Sequence, residues 1–370
     1  MQVLVLLLSL FLVPGLEAAA PPRTVKIVQF SDIHYGNEEY KPEAWHKAFD
    51  EGEKVRPDVF LFTGDQADNK CTPEEFWKRL DGVIGEIRVR LDRVRAPAML
   101  VLGNNDLVKN YQTDPEVLNP TLKAYRKGLG SYYYLDELGN GVYPRVVKGI
   151  TWISLNTQIF SRHNKYSGRP EQAARTLEWL RDALKALPQE RPVVILVHIP
   201  PTYDLYDHSL SWLAEDLDRF HDVVRDHRGP MLIIGGHYHR NEIHSLTRAG
   251  KLDVPILLAG SLSFKYGNYP NWRDYALKFA HRGEMSSFAY RIRYPDDASW
   301  NTTWGIERPM RMASISAWIT RIGDSTEKYL RYMRDLYAHN KKWESWASAE
   351  GARRTMLREV WSTVPAPAAK

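Results

Sequence analysis

The 370-residue chain has a single cysteine, Cys71. That scarcity excludes an internal disulfide framework and a thiolate zinc cluster, so any metal has to be held by His, Asp, Glu or Asn. There is no Lys/Arg block of the kind that grips a nucleic-acid backbone. Fifty Lys and Arg against 45 Asp and Glu make a mixed surface with a formal charge of +5, mildly favourable to anionic ligands, and no nucleic-acid partner is expected. Internal repeats are absent too, and the apolar run from Val3 to Val13 is too short to span a bilayer. Followed by Pro14-Gly15 and small residues, that run reads as a cleavable leader over residues 1–20, which predicts a secreted or periplasmic protein even though no Lys or Arg precedes it. No lipobox cysteine follows it. At 44% hydrophobic and 26% charged residues, the chain is not disordered and can bury a full core.

After the leader, strand-like and helix-like patterns alternate. "TVKIVQFSD", "DVFLFTGD" and "PAMLVLGNND" are apolar runs of strand length, each ending in Asp or Asn, and "AWHKAFDEGEKV" and "EEFWKRLDGVIGEIRVRL" between them have helical spacing. "YYYLDELGNGVYPRVVKGITWISLNTQ" reads as a β-meander turning at Gly139-Asn140-Gly141. "EQAARTLEWLRDALKAL" reads as an amphipathic helix resting on Leu177, Leu180, Leu184 and Leu187. The strands "RPVVILVHIPP" and "PMLIIGGHYHR" follow, separated by the helical "SWLAEDLDRFHDVVRDH", and "VPILLAGSLS" and "SSFAYRIRYP" continue the sheet character. The fold class is α/β. Residues 21–308 form the main domain, and from Pro309 to 370 the pattern is helical and aromatic, a C-terminal appendage.

Ligands of α/β sheets bind beyond the carboxyl ends of the strands. Those ends carry Asp32 and His34, Asp65, Asn104, His198, and finally His237 and His239. Any one of them alone would be an ordinary turn residue or a satisfied core histidine. Together they are seven oxygen and nitrogen donors, the number two divalent cations need if one carboxylate bridges them.

The order D-x-H, G-D, G-N-x-D, H, G-H-x-H resembles the calcineurin-like metallophosphoesterases from Asp32 to His239. The resemblance implies a four-layer β-sandwich flanked by helices. It also implies Asp32, His34, Asp65 and His239 on one metal and Asp65, Asn104, His198 and His237 on the other, with Asp65 bridging. Within the family, "WISLNTQIF", "VHIPP", "GGHYHR" and "YGNYPNWRDYAL" are similar to the acid sphingomyelinase-like phosphodiesterases, although those enzymes are disulfide-rich and carry a saposin domain that this chain lacks. They also place histidines where this chain has Asn69 and Asn105. The endopolyphosphatases are similar in reading G-N-N-D at 103–106.

The expected activity is hydrolysis of an anionic phosphoester by an exported two-metal enzyme, an acid sphingomyelinase-like phosphodiesterase in which a metal-bridging hydroxide attacks phosphorus in line. The alternatives are an endopolyphosphatase-like phosphoanhydride hydrolase and a catalytically silent metal-binding protein. His-rich ligation outside the cytosol favours zinc, with iron or manganese as alternatives. At the leaving group the candidates are Asn105, Asn69, and His163 in the basic loop "SRHNKYSGR"; an imidazole could protonate a departing oxygen, an amide only donates a hydrogen bond. The tail tryptophans Trp300, Trp304, Trp318, Trp343, Trp346 and Trp361 read as packing residues rather than as a lipid-docking face. The sequence leaves the substrate and the oligomeric state open.

Overall fold

In a computed structural model of the chain, the structure describes residues 24–133, 138–188, 191–204, 209–248, 251–265, 270–279, 285–293 and 310–311. Twelve strands among them build two six-stranded sheets. Strands β1 (Thr24–Phe30), β2 (Val59–Phe62) and β3 (Ala98–Leu100) run parallel. Helices α1 (Pro42–Lys54) and α2 (Pro73–Val94) connect them, as the βαβαβ pattern predicts. Proline opens both helices, where its missing N–H costs nothing, and Thr72 caps α2 by accepting from the Glu75 N–H. Helix α3 (Pro115–Leu129) was not expected: Pro120 lies inside it and ordinarily marks a break.

The second sheet is ordered β4 (Tyr143–Val147), β5 (Ile150–Ser154), β6 (Val193–Leu196), β7 (Met231–Gly235), β9 (Lys251–Leu258), β8 (Ile243–Arg248). β5, β6, β7 and β9 are parallel neighbours, and helices α4 (Arg169–Ala186) and α5 (Ala214–Asp226) complete the crossovers. Antiparallel β10 (Trp272–Phe279), β11 (Met285–Arg293) and β12 (Met310–Arg311) extend the first sheet beyond β1. The meander reduces, among the described residues, to the β4–β5 hairpin turning at Lys148-Gly149; Gly139-Asn140-Gly141 is a turn that precedes it. Where a helical appendage was expected to begin at Pro309, Met310–Arg311 pair as a strand with β11. The rest of that appendage, and the leader at 1–20, lie outside the described residues.

The parallel strands read as unbroken apolar runs because both faces are covered. Val194, Leu196, Leu232 and Ile234 share a core with the first sheet, whereas Val193, Ile195 and Ile233 pack with Leu177, Leu180, Phe220 and Val224 of α4 and α5. The result is four layers, helices outside and sheets inside. On the first sheet, Phe30 and Phe60 stack on Phe49 of α1 with ring centroids 5.4 and 5.1 Å away. Gln29 crosses between the sheets, donating to Gly235 O at 2.8 Å and so tying β1 to β7 where both strands end. Removing the Phe49 ring should leave a cavity costing about 3–5 kcal/mol, read as a lower urea midpoint for Phe49→Ala; a loss under about 1 kcal/mol would mean that α1 does not pack as described.

Candidate metal centre

The carboxyl ends of both sheets meet at one edge, and all seven strand-end residues come together there. Asp32 N–H donates to Gly64 O and His34 N–H to Asp65 O, each at 3.0 Å, which locks the loops after β1 and β2 together. Gly236 N–H donates to His198 O at 3.2 Å and does the same for the loops after β6 and β7. Asp32, His34, Asp65 and His239 are buried, and one donor atom from each lies within 4.8 Å of the others. On the other side of Asp65, His198 Nε2 lies 3.1 Å from Asn104 Oδ1 and 3.3 Å from His237 Nδ1.

Asp65 joins the two groups: its Oδ2 lies 3.7 Å from His34 Nε2 and its Oδ1 3.3 Å from His198 Nε2. Asn105 holds it in place, with the backbone N–H on Oδ1 at 2.7 Å and the side-chain amide on Oδ2 at 2.5 Å. Asn105 therefore grips the shared carboxylate. Asn69 donates instead to the carbonyls of Asn104 at 3.3 Å and Leu107 at 2.9 Å, stapling the turn that carries Asn104 and Asn105. His163 lies farther out: its ring is 5.0 Å from Tyr111, whose ring is 6.2 Å from that of His237.

The donors are aimed by their neighbours. Asp32 Oδ2 accepts from Ser31 Oγ at 2.6 Å and from His237 N–H at 3.1 Å, while its Oδ1, fully buried, lies 3.3 Å from His239 Nε2. Asn104 Nδ2 donates to Asn110 Oδ1 at 2.9 Å, which turns Oδ1 toward His198. Thr63 O lies 2.7 Å from His198 Nδ1 and can only accept, so Nδ1 carries a proton and Nε2 faces Asp65 and Asn104. Asp68 stands 3.1 Å from His34 Nδ1 and leaves Nε2 for the site, where it faces His239 Nε2 at 3.1 Å. Two imidazole nitrogens and a buried carboxylate oxygen converge here within ligand distance of a common point, an arrangement that a cation would stabilise by taking all three lone pairs. The donor set fits divalent metal ions.

Glycine makes this convergence sterically possible. A Cβ on Gly64 would lie 2.3 Å from His198 Nδ1, on Gly103 2.0 Å from Asp65 N, and on Gly236 2.0 Å from Ser31 Oγ. Each of these glycines directly precedes a donor: Asp65, Asn104 or His237. The backbone is strained as well: Asp32, His34, Asp65, His237 and His239 all have left-handed φ between 51° and 76°. Such conformations cost about 1–3 kcal/mol apiece and persist where the surrounding structure over-determines them, as at functional sites.

Several contributors were not foreseen from the sequence. Asp68 sits three residues past Asp65 and was legible in principle as a histidine-orienting carboxylate. Lys265, 3.0 Å from Asp68 and 3.2 Å from His34 Nδ1, has no local signal at all. Burial and the charge of Asp65 push the Asp106 carboxyl up to about 7, and its two oxygens accept from Ala67 and Gly103 N–H, fixing the turn.

Residues 25–241, more than half of the chain, match the family described as calcineurin-like phosphoesterase. No curated protein sequence matches. Among solved structures the chain is similar to a dimetal phosphatase from Danio rerio at 14% identity and TM-score 0.55, covering 76% of this chain and 98% of that one. It is also similar to a purple acid phosphatase from yellow lupin, Lupinus luteus, at 11% identity and TM-score 0.47, covering 76% and 52%. At 14% identity the similarity to the Danio rerio structure shows the fold alone.

Burial opposes the charged form of His198, but the charge of Asp65 outweighs it and raises the imidazole to about 9. Below that pH the cation-free site holds a proton where ligation needs a lone pair, so metal uptake has to expel it, and affinity should climb as pH rises toward about 9. Calorimetric titration of zinc at pH 7.5 in buffers of different ionisation enthalpy should report release of about one proton or more. Heats independent of the buffer would contradict the assignment of His198 as a ligand.

Proposed function

The chain belongs to the calcineurin-like phosphoesterases and is a metal-dependent phosphoesterase, and from this premise we propose that it is an exported two-metal phosphoric ester hydrolase acting on phosphodiesters of the acid sphingomyelinase-like kind. The observation that carries the two-metal reading is Asp65, whose two oxygens face two separate donor groups. Asp32, His34 and His239 would hold one ion with it, and Asn104, His198 and His237 the other. Four imidazoles in the set favour zinc over harder ions, with iron or manganese next. Bound there, divalent cations neutralise charge on the phosphoryl oxygens and lower the pKa of water that serves as nucleophile. Export rests on the leader pattern of residues 1–20.

The protein's own residues set the geometry of the reaction. Asp65 keeps the two donor groups together, and Asn105, with two hydrogen bonds to it, prevents the carboxylate from rotating out of the shared position. His237 is the half-buried member of the set, with the Tyr111 ring 6.2 Å from its own, and we place substrate entry on that side. Burial and the charge of His198 hold the His237 imidazole down to about 3, which keeps it a neutral donor.

Asn105 supports a second reading, the phosphoanhydride hydrolase. An amide bonded to Asp65 has no proton to give a departing alkoxide. Turnover then depends on leaving groups that depart as weak bases, aryl oxides and phosphate among them.

Two measurements test these readings. Asp65→Ala should abolish hydrolysis of an aryl phosphodiester that the wild type cleaves; a wild type with no activity on any phosphoester at saturating metal would point to the silent metal-binding protein. A plot of log kcat/KM against leaving-group pKa should be steep for the wild type and shallower for Asn105→His, whose imidazole supplies a proton but gives up the amide bond to Asp65, so that alkyl esters gain relative to aryl esters. A shallow wild-type slope would mean that another group donates the proton.

A further inference from the structure

Two loops lie on the Tyr111 side of the half-buried His237, residues 107–113 and 161–168, and neither contains an Asp or Glu, although Asp114 directly follows the first. They are tied into one rim: Gln112 donates to His163 O at 3.2 Å and accepts from Lys165 N–H at 3.1 Å, and Asn164 donates to Thr113 Oγ1 at 2.7 Å. Within the rim, Arg162 Nε lies 3.3 Å from His163 Nε2. The charges of Arg162 and Lys165, behind a larger effect of burial, disfavour protonation of that imidazole. Tyr111 joins the rim to the centre, with its ring 5.0 Å from His163 on one side and 6.2 Å from His237 on the other. Its backbone is left-handed at φ 63°, a conformation unusual for a bulky residue and shared here with five of the seven metal donors.

We infer that Tyr111, Arg162, His163 and Lys165 form a subsite for a second phosphate of the same substrate, placed just outside the metal centre on the His237 side. The inference rests on the hydrolase reading above and narrows its substrate to compounds with at least two phosphate groups. The chemistry is direct. Cations on loops that carry no carboxylate of their own lower their energy by sharing an anion; a guanidinium matches phosphate geometry, and an ammonium adds charge. The exposed side chains Arg162, His163 and Lys165 lie on the solvent side, where the part of a substrate not held by the metal centre would extend. The exposed large hydrophobics among the described residues are Val89 and Val146, and neither loop offers one for insertion into a bilayer.

The test compares AMP with the non-hydrolysable α,β-methylene-ADP, two probes that differ in the second phosphate group, by calorimetry on metal-reconstituted protein at buffered free zinc. The wild type should bind the diphosphate probe about tenfold more tightly than AMP, and Arg162→Gln/Lys165→Gln should bring the ratio close to one, with an unchanged melting temperature as the folding control. Raising the salt from low to about 0.5 M should shrink the wild-type ratio in the same direction. Equal affinities in the wild type, or a preference unaltered in the double variant, would overturn the subsite, as would binding to phosphatidic acid vesicles with no preference for the soluble diphosphate. Aryl ester hydrolysis measured on the same samples separates the two failures. A protein that cleaves the ester but shows no diphosphate preference is a phosphoesterase without this subsite; one that shows the preference and loses it in the variant has the subsite even if it cleaves nothing.

Discussion

One carboxylate fixes the arrangement of everything around it. Asp65 lies where the ends of the two sheets meet, 3.7 Å from His34 on one side and 3.3 Å from His198 on the other. A charge so deeply buried is costly unless paired. His198 and His34 hold its carboxyl well below the usual range against the opposing effect of burial, assisted by the Asn105 N–H. Cations bridged by the two oxygens would complete that pairing, and they would bind together segments running from residue 32 to residue 239. Metal binding and tertiary structure are therefore coupled through Asp65.

That coupling explains the local chemistry of the loops. Donor side chains from two sheets can approach within about one hydrogen-bond length only if the backbone between them carries no Cβ at the crossing points, which Gly64, Gly103 and Gly236 provide. Five donors accept left-handed φ for the same reason, since an extended conformation at those positions would aim the side chain away from the shared centre. Partners outside the donor set fix the donors in place: Ser31 donates to Asp32, Asn104 donates to Asn110, and His34 and His198 pair through Nδ1 with Asp68 and Thr63 O. Such contacts set ring orientation and donor strength nearly as firmly as the ligands themselves.

Much of this was legible in the chain because buried parallel strands are continuous apolar runs, and the residue that ends such a run is conspicuous. Asp32, Asp65, Asn104, His198 and His237 could be picked out on that basis, and the order of their motifs led to the family. Helix α3 was hidden by Pro120. β8 was hidden by its polar residue His244, which pairs in the interior at 2.8 Å with Glu242, just before the strand. β10 was hidden by Arg273 and Asp274, charged residues buried within a strand. The contribution of Lys265 could not have been read at all, because nothing local to position 265 signals a partner at 68. Asn69 and Asn105 could be singled out in the chain, but their hydrogen bonds, one pair to a turn and the other to Asp65, needed coordinates to assign.

The most direct test of the shared carboxylate is anomalous diffraction from crystals of the zinc-reconstituted protein, recorded on both sides of the zinc edge. The account predicts two peaks about 3.5–4 Å apart, one among Asp32, His34 and His239, the other among Asn104, His198 and His237, with Asp65 touching both. A single peak, or two peaks of which only one contacts Asp65, would contradict it.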